Sequence, residues 1–296
     1  MGLLLLQSLL SILDHIDAHR VAVHNSWLTV EPHPTIDLSK HAIDAYRRDG
    51  FLVIHGFSTP EELARMRTIY DDLFEKRAGR EVGDEFDLAG ADAEDDRPVL
   101  PQILSPSKYA PELLRTLAVA NARAIAKQIL GSTGEFGGDH AILKPASYGA
   151  ATPWHQDEAY WDPSLDYDSF SIWMPLSGAT VESGCLHFIP GSHLGEVIPH
   201  QPIGGDPRVH GLEAIDVDAS KAVAIPLKEG SVTVHHNRTL HYAGPNSTQQ
   251  HRRAYIMMCG KPAAPRQTPR QFHWKEVQST ERSKRAELAR NQGENK

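Results

Sequence analysis

Apolar residues recur at two different spacings along this chain, and the spacing changes near Gly131. Before that point the period is mostly helical. Residues 41–49 predict a short helix stopped by Gly50, and the apolar run from Phe51 to Phe57 predicts a strand. Ser58-Thr59-Pro60-Glu61-Glu62 reads as a helix start: a capping hydroxyl, a proline in the first turn and acidic groups at the positive helix end. Leu63, Met66, Tyr70 and Leu73 continue it at helical steps toward Gly79. Residues 80–97 are acidic with few large apolar side chains and predict a solvated loop, a candidate wall over a site. Residues 111–130 predict one more helix, ended by Gly131.

After Gly131 the runs become short, β-rich and separated by Gly, Pro, Asn and Asp. They cover residues 136–145, 169–176, 185–189, 222–226, 231–236 and 254–259. Several short strands with turn signals between them predict a sandwich or barrel. The expected organisation is an N-terminal extension over 1–40, one mainly β, barrel-like domain with a helical buttress over 41–260, and a polar, frayed C-terminal tail over 261–296. Residues 1–13 are leucine-rich but broken by Gln7, Ser8 and Ser11, and lack a basic leader. They predict an amphipathic helix that packs on the body or on a second subunit as a homodimer contact. Gly2 invites lipidation, but Leu6 breaks that pattern.

Composition narrows the function classes. The 296 residues carry 30 basic and 38 acidic side chains, a net charge of −8 that gives no footprint for nucleic acid. No stretch is long and apolar enough for a membrane span. Two cysteines, Cys185 and Cys259, cannot build a disulfide framework and suit a reducing, cytoplasmic setting. The 17 histidines are the unusual count.

Trp154-His155-Gln156-Asp157 is the first informative cluster. On an extended segment His155 and Asp157 project to one face and Gln156 to the other. An imidazole and a carboxylate so placed can take adjacent positions on one metal ion. A third ligand can come from residues 230–241, which offer His235, His236 and His241. Two histidines and a carboxylate on one face leave three positions open, an arrangement suited to non-haem Fe(II) and O2. Downstream, Gly244-Pro245-Asn246 turns the chain toward Arg252 and Arg253, and a guanidinium returned beside the metal is a natural bidentate partner for a carboxylate.

These residues resemble the phytanoyl-CoA dioxygenase-like group of Fe(II)/2-oxoglutarate oxygenases. The matching pieces are His155-Gln156-Asp157, Trp173, the run from Ser183-Gly184-Cys185-Leu186 to Pro190-Gly191-Ser192-His193, and His241 followed by Gly244-Pro245-Asn246 and Arg252. The resemblance implies a double-stranded β-helix (a cupin-like jelly roll) with N-terminal helices packed on the barrel. It makes His155, Asp157 and His241 the iron ligands and Arg252 the clamp for the distal carboxylate of 2-oxoglutarate. It also brings Trp173, Gln156, His140 and Gln102 to the co-substrate. Ala243 departs from the pattern, because many members have serine there. His236 is then expected behind the ligands or in the core, and His235 facing away. The activity implied is oxidation of an unactivated C–H, with O2 consumed and succinate and CO2 released; Asp157 argues against halogenation.

Trp154, Tyr160 and Trp161 lie beside the metal motif and are the candidate floor of an apolar substrate pocket. Residues 194–215 are expected to overhang it. Neither that segment nor 80–97 supplies the basic cluster that a coenzyme A thioester would want, so a free small metabolite is expected. Two other classes remain open: a cupin-like metal lyase or isomerase without oxygen chemistry, and a non-catalytic binding protein on the same fold.

Overall fold

The structure is a computed structural model and describes residues 32–93 and 96–293. The helix expected over residues 1–13 and the dimer contact assigned to it lie outside the described residues.

Helix α1 (Lys40–Asp49) is capped by the Ser39 hydroxyl and ends on Gly50 at φ 83°. A Cβ at Gly50 would meet His193 Nδ1 at 2.3 Å, so both the left-handed turn and the close packing require glycine. Strand β1 (Phe51–Ile54) follows at once, then helix α2 (Pro60–Glu75), whose first turn is closed by the Thr59 hydroxyl. Leu63, Met66, Tyr70 and Leu73 are all buried, so the period read from sequence faces the core.

The remaining elements are β2 (Glu85–Asp87), β3 (Pro101–Leu104), α3 (Leu117–Leu130), β4 (Glu135–Lys144) and β5 (Thr152–His155). Then come β6 (Leu165–Asp166), β7 (Ser169–Pro175), β8 (Leu186–Phe188), β9 (His200–Pro202) and β10 (Leu212–Ala214). The chain continues through β11 (Val223–Ile225), β12 (Val232–His236), β13 (His241–Ala243), β14 (Arg252–Gly260) and β15 (Ala264–Pro265). It closes on α4 (His273–Val277) and α5 (Glu281–Gly293).

A seven-stranded antiparallel sheet runs β1-β12-β7-β14-β4-β3-β2, and a four-stranded one runs β11-β8-β13-β5. The fold is mainly β. Two apolar clusters flank the large sheet. One joins Leu63 and Tyr70 of α2 and Val119 and Ile125 of α3 to Ile172, Tyr255 and Met257 of the sheet. The other joins Trp173 and Ala254 of the large sheet to Leu186, Phe188 and Ala243 of the small one. The interior strand β7 is therefore buried on both faces along its whole length. The Tyr70 hydroxyl donates to Ala254 O at 2.9 Å and ties α2 to β14.

Three expectations are corrected. Residues 80–97 are not simply a solvated loop, because β2 joins the sheet edge and Glu85, Asp87 and Asp92 are buried. Their charges are answered locally: Glu85 by Arg77 and Arg80, Asp92 by Arg80 and Arg285, and Asp87 by the backbone N–H groups of Ala89, Val99 and Leu100. The helix expected over 111–130 is broken at Thr116, which caps α3, while residues Pro111–Arg115 form a separate 3-10 turn. The polar tail is not frayed throughout. Trp274 is buried, its indole donates to Ala159 O, and α5 packs beside residues Arg80–Val82.

Candidate active site

Strands β13 and β5 pair so that His241 lies directly opposite His155, with ring centroids 4.1 Å apart. Asp157 follows on the turn Asp157–Tyr160. Its Oδ1 lies 3.6 Å from His155 Nε2 and 3.5 Å from His241 Nε2. These three ligand atoms lie within 4.8 Å of one another. Both imidazoles have their other nitrogen committed: His155 Nδ1 donates to Pro153 O at 2.8 Å and His241 Nδ1 to Thr239 O at 2.9 Å. A carbonyl only accepts, so each Nδ1 carries the proton and each Nε2 presents a lone pair.

Burial pushes both imidazoles below their ordinary pKa. Burial alone would raise the Asp157 carboxyl, but His241, His235 and His155 outweigh it and hold the group below the usual carboxylate range. Two imidazole nitrogens and one carboxylate oxygen thus converge on one point. That donor set fits a divalent cation.

The carboxylate is held from behind. Ser171 Oγ donates to Asp157 Oδ2 at 2.8 Å, and Asn237 Nδ2 donates to the same oxygen at 3.3 Å and to Ser171 Oγ at 3.2 Å. His235 Nε2 lies 3.5 Å from Asp157 Oδ2, so His235 faces the site. This corrects the expectation that it faces away. Along β12, Val232 and Val234 belong to the helix-side core, which puts Thr233 and His235 on the opposite face. His236 turns from the site and packs against His193.

The site opens into a cavity of about 500 Å³. Arg252 lines it and is buried, its guanidinium carbon 5.2 Å from the Trp173 ring centroid. Nε and Nη1 of Arg252 are buried without a hydrogen-bond partner, and burial lowers its pKa to about 9. A buried guanidinium with open donors is costly unless an anion completes it. Arg253, the next residue, points outward to Asp71 at 2.6 Å. Gln102 and His140 also line the cavity and bond to each other at 3.3 Å. Ala243 lines it too.

Of the expected substrate residues, Tyr160 and Trp161 line the cavity. Trp154 does not, since strand alternation turns it outward to stack on Tyr242 at 5.5 Å. Gln156 is also corrected. It is buried outside the cavity lining, donating to the carbonyls of Arg238 and Glu196 and accepting from Ile198 N. It fixes the 194–215 segment, from which His210 and Leu212 reach the cavity wall. The sequence reading missed Lys275, Gln278 and Arg282, which line the cavity from the C-terminal segment. The buried aromatic Trp274 among polar residues was the available signal that this segment docks.

A model of the phytanoyl-CoA dioxygenase family matches residues 46–254. The probable alpha-ketoglutarate-dependent hypophosphite dioxygenase of Stutzerimonas stutzeri is 33% identical over 121 residues, 39% of this chain and 41% of that protein. The phytanoyl-CoA dioxygenase domain-containing protein 1 homolog of Dictyostelium discoideum is 24% identical over 255 residues, 74% of this chain and 90% of that protein. Among solved structures, EvdO2 from Micromonospora carbonacea var. aurantiaca matches with a TM-score of 0.71 at 46% identity, over 83% of this chain and 99% of that one. Its complex with 2-oxoglutarate matches with a TM-score of 0.69 at 42% identity, over the same shares.

Proposed function

This chain belongs to the phytanoyl-CoA dioxygenase family, and from that premise we propose that it is an Fe(II)- and 2-oxoglutarate-dependent oxygenase. It hydroxylates, or otherwise oxidises, an unactivated C–H of a small-molecule substrate, with O2 consumed and succinate and CO2 released. His155, Asp157 and His241 would hold the ferrous ion. Arg252 would take the distal carboxylate of 2-oxoglutarate against Trp173, with Gln102 and His140 on the adjoining wall. We read the two facing sheets as the double-stranded β-helix of a single domain over 41–260. Bound iron supplies the activation of O2 and the oxidising power.

The chain's own residues do the rest. The backbone carbonyls of Pro153 and Thr239 fix both imidazoles in the tautomer that leaves Nε2 free. Ser171 and Asn237 occupy the outer oxygen of Asp157, leaving Oδ1 to face inward. Leu186, Ile256 and Met258 keep the cavity wall apolar.

One observation carries this reading: three converging acceptor atoms share a cavity with a buried guanidinium that lacks a partner. A metal lyase would use the first and have no need of the second. The solved complex of the relative EvdO2 with 2-oxoglutarate supports the same co-substrate here. The test is anaerobic titration of metal-free protein with Fe(II) and 2-oxoglutarate, followed by exposure to O2. A visible absorption band that needs both additions, and succinate formation that His241→Ala abolishes, are expected. Binding of iron with neither the band nor succinate would overturn the reading.

A further inference from the structure

Among the described residues, the charged side chains lining the cavity are Asp157, Arg252, Lys275 and Arg282. The first two belong to the ligand set and the keto-acid site. Lys275 Nζ donates to the carbonyls of Tyr160 and Trp161 at 3.2 and 2.8 Å, so it is already engaged. Arg282 is left over. Its guanidinium carbon lies 5.0 Å from the Phe86 ring centroid, and its Nε is buried without a hydrogen-bond partner. Burial pushes its pKa below the ordinary arginine value, Asp84 acting the other way.

The neighbouring charges explain why Arg282 is unpaired. Arg77, Arg80 and Arg285 consume Glu85 and Asp92, while Asp84 takes Lys108 and the Tyr109 hydroxyl. No described carboxylate lies within ion-pair distance of Arg282. A ring path also separates it from the ligand triad. Phe86 meets His210 edge-on at 4.7 Å, His210 meets Tyr160 at 5.9 Å, and Tyr160 meets His155 at 6.3 Å. The cavity therefore presents two guanidinium groups with buried nitrogens that no described side chain pairs, Arg252 and Arg282.

We propose that Arg282 is the anchor for an oxyanion on the substrate, a carboxylate or a phosphate group, which fixes the substrate while its reacting C–H lies toward the triad. This deepens the oxygenase reading and rests on it for the word substrate, but the anion site stands on geometry alone. Half-buried guanidinium donors bind a planar or tetrahedral oxyanion with paired N–H bonds, which a neutral group of the same shape cannot match.

The test uses matched probes, benzoate and phenyl phosphate against benzamide and benzyl alcohol, titrated calorimetrically into full-length protein saturated with 2-oxoglutarate and Mn(II). At least one anionic probe should bind more tightly than its neutral partner. Arg282→Gln should weaken that anion by roughly ten- to a hundredfold. Arg282→Lys, which keeps the charge, should recover part of the loss, and 2-oxoglutarate affinity should hold in both variants. Equal binding of anionic and neutral probes, or unchanged anion affinity in Arg282→Gln, overturns the proposal. So does an anion that binds only by displacing 2-oxoglutarate, because that places it on Arg252. Loss of thermal stability with intact anion affinity assigns Arg282 a structural role and overturns it too. If the protein never takes up 2-oxoglutarate, the oxygenase reading fails, while the same titrations on protein without it still decide the anion site.

Discussion

A neutral imidazole that donates through Nδ1 has a single thing to offer, the lone pair on Nε2. Two such groups facing Asp157 define the metal position at the scale of atoms. Arg252 is the complementary case, a charge that waits for its partner. Its charge-assisted bonds should contribute on the order of 1.5–3 kcal/mol to 2-oxoglutarate binding. Arg252→Leu is therefore expected to weaken 2-oxoglutarate by roughly ten- to several hundredfold with iron affinity held, measured by the paired visible titration. Arg253→Leu loses its bonds to the exposed Asp71 and to the His251 carbonyl, both outside the cavity, and should leave that titration unchanged. The His155-Gln156-Asp157 spacing and the family resemblance made the ligands and Arg252 legible in sequence, although Asp157 follows on a turn rather than on the strand itself. Strand alternation would have placed His235, since Val232 and Val234 already declare the core face of β12. Ser171 and Asn237 were not legible, because their contact to Asp157 spans 14 and 80 residues and no local pattern marks it.

The helices show where element boundaries depend on distant residues. Helix α3 begins at Leu117, six residues later than apolar spacing suggests, because its N-terminus is closed by another helix. Glu62 of α2 accepts from Leu117 N at 2.6 Å and from Ala118 N at 3.1 Å, and Ser58 Oγ donates to it at 2.7 Å. A carboxylate at that helix end satisfies donors that Thr116 alone leaves open. Glu62→Ala should cost about 2–3 kcal/mol, read as a lower urea midpoint with unchanged slope, and Glu62→Gln should recover part of it. The acidic stretch deceived for a related reason. Composition says solvated, but arginines from residues 77, 80 and 285 neutralise it, and Arg285 lies about 200 positions away.

Across the whole molecule, histidine burial sets the acid limit. His200 is held down to about 4, and His210 and His236 to about 3, in each case chiefly by loss of hydration. Unfolding returns them to about 6.5, so the unfolded chain binds more protons throughout that interval. Stability is complete above the unfolded value and falls as pH drops from about 6.5 toward 3. A series of urea midpoints at pH 7, 6, 5 and 4 should decline steadily, with each of the three histidines contributing on the order of 3 kcal/mol by pH 4. Replacing His236 with Gln should make that decline shallower from about pH 6.5 downward.

The cavity draws its parts from two separate stretches of chain. Everything proposed to hold iron and the keto acid lies between Gln102 and Arg252, whereas Lys275, Gln278 and Arg282 enter from beyond β15. The wall that bears Arg282 thus comes from a different segment than the ligands, although Tyr160 and Trp161 of the ligand-bearing stretch also line the cavity. Exchanging residues 278–293 between relatives would change the wall at Arg282 while sparing the bonds by which Trp274 and Lys275 hold the turn that follows Asp157, so new specificities can arise by replacing one short passage of the gene.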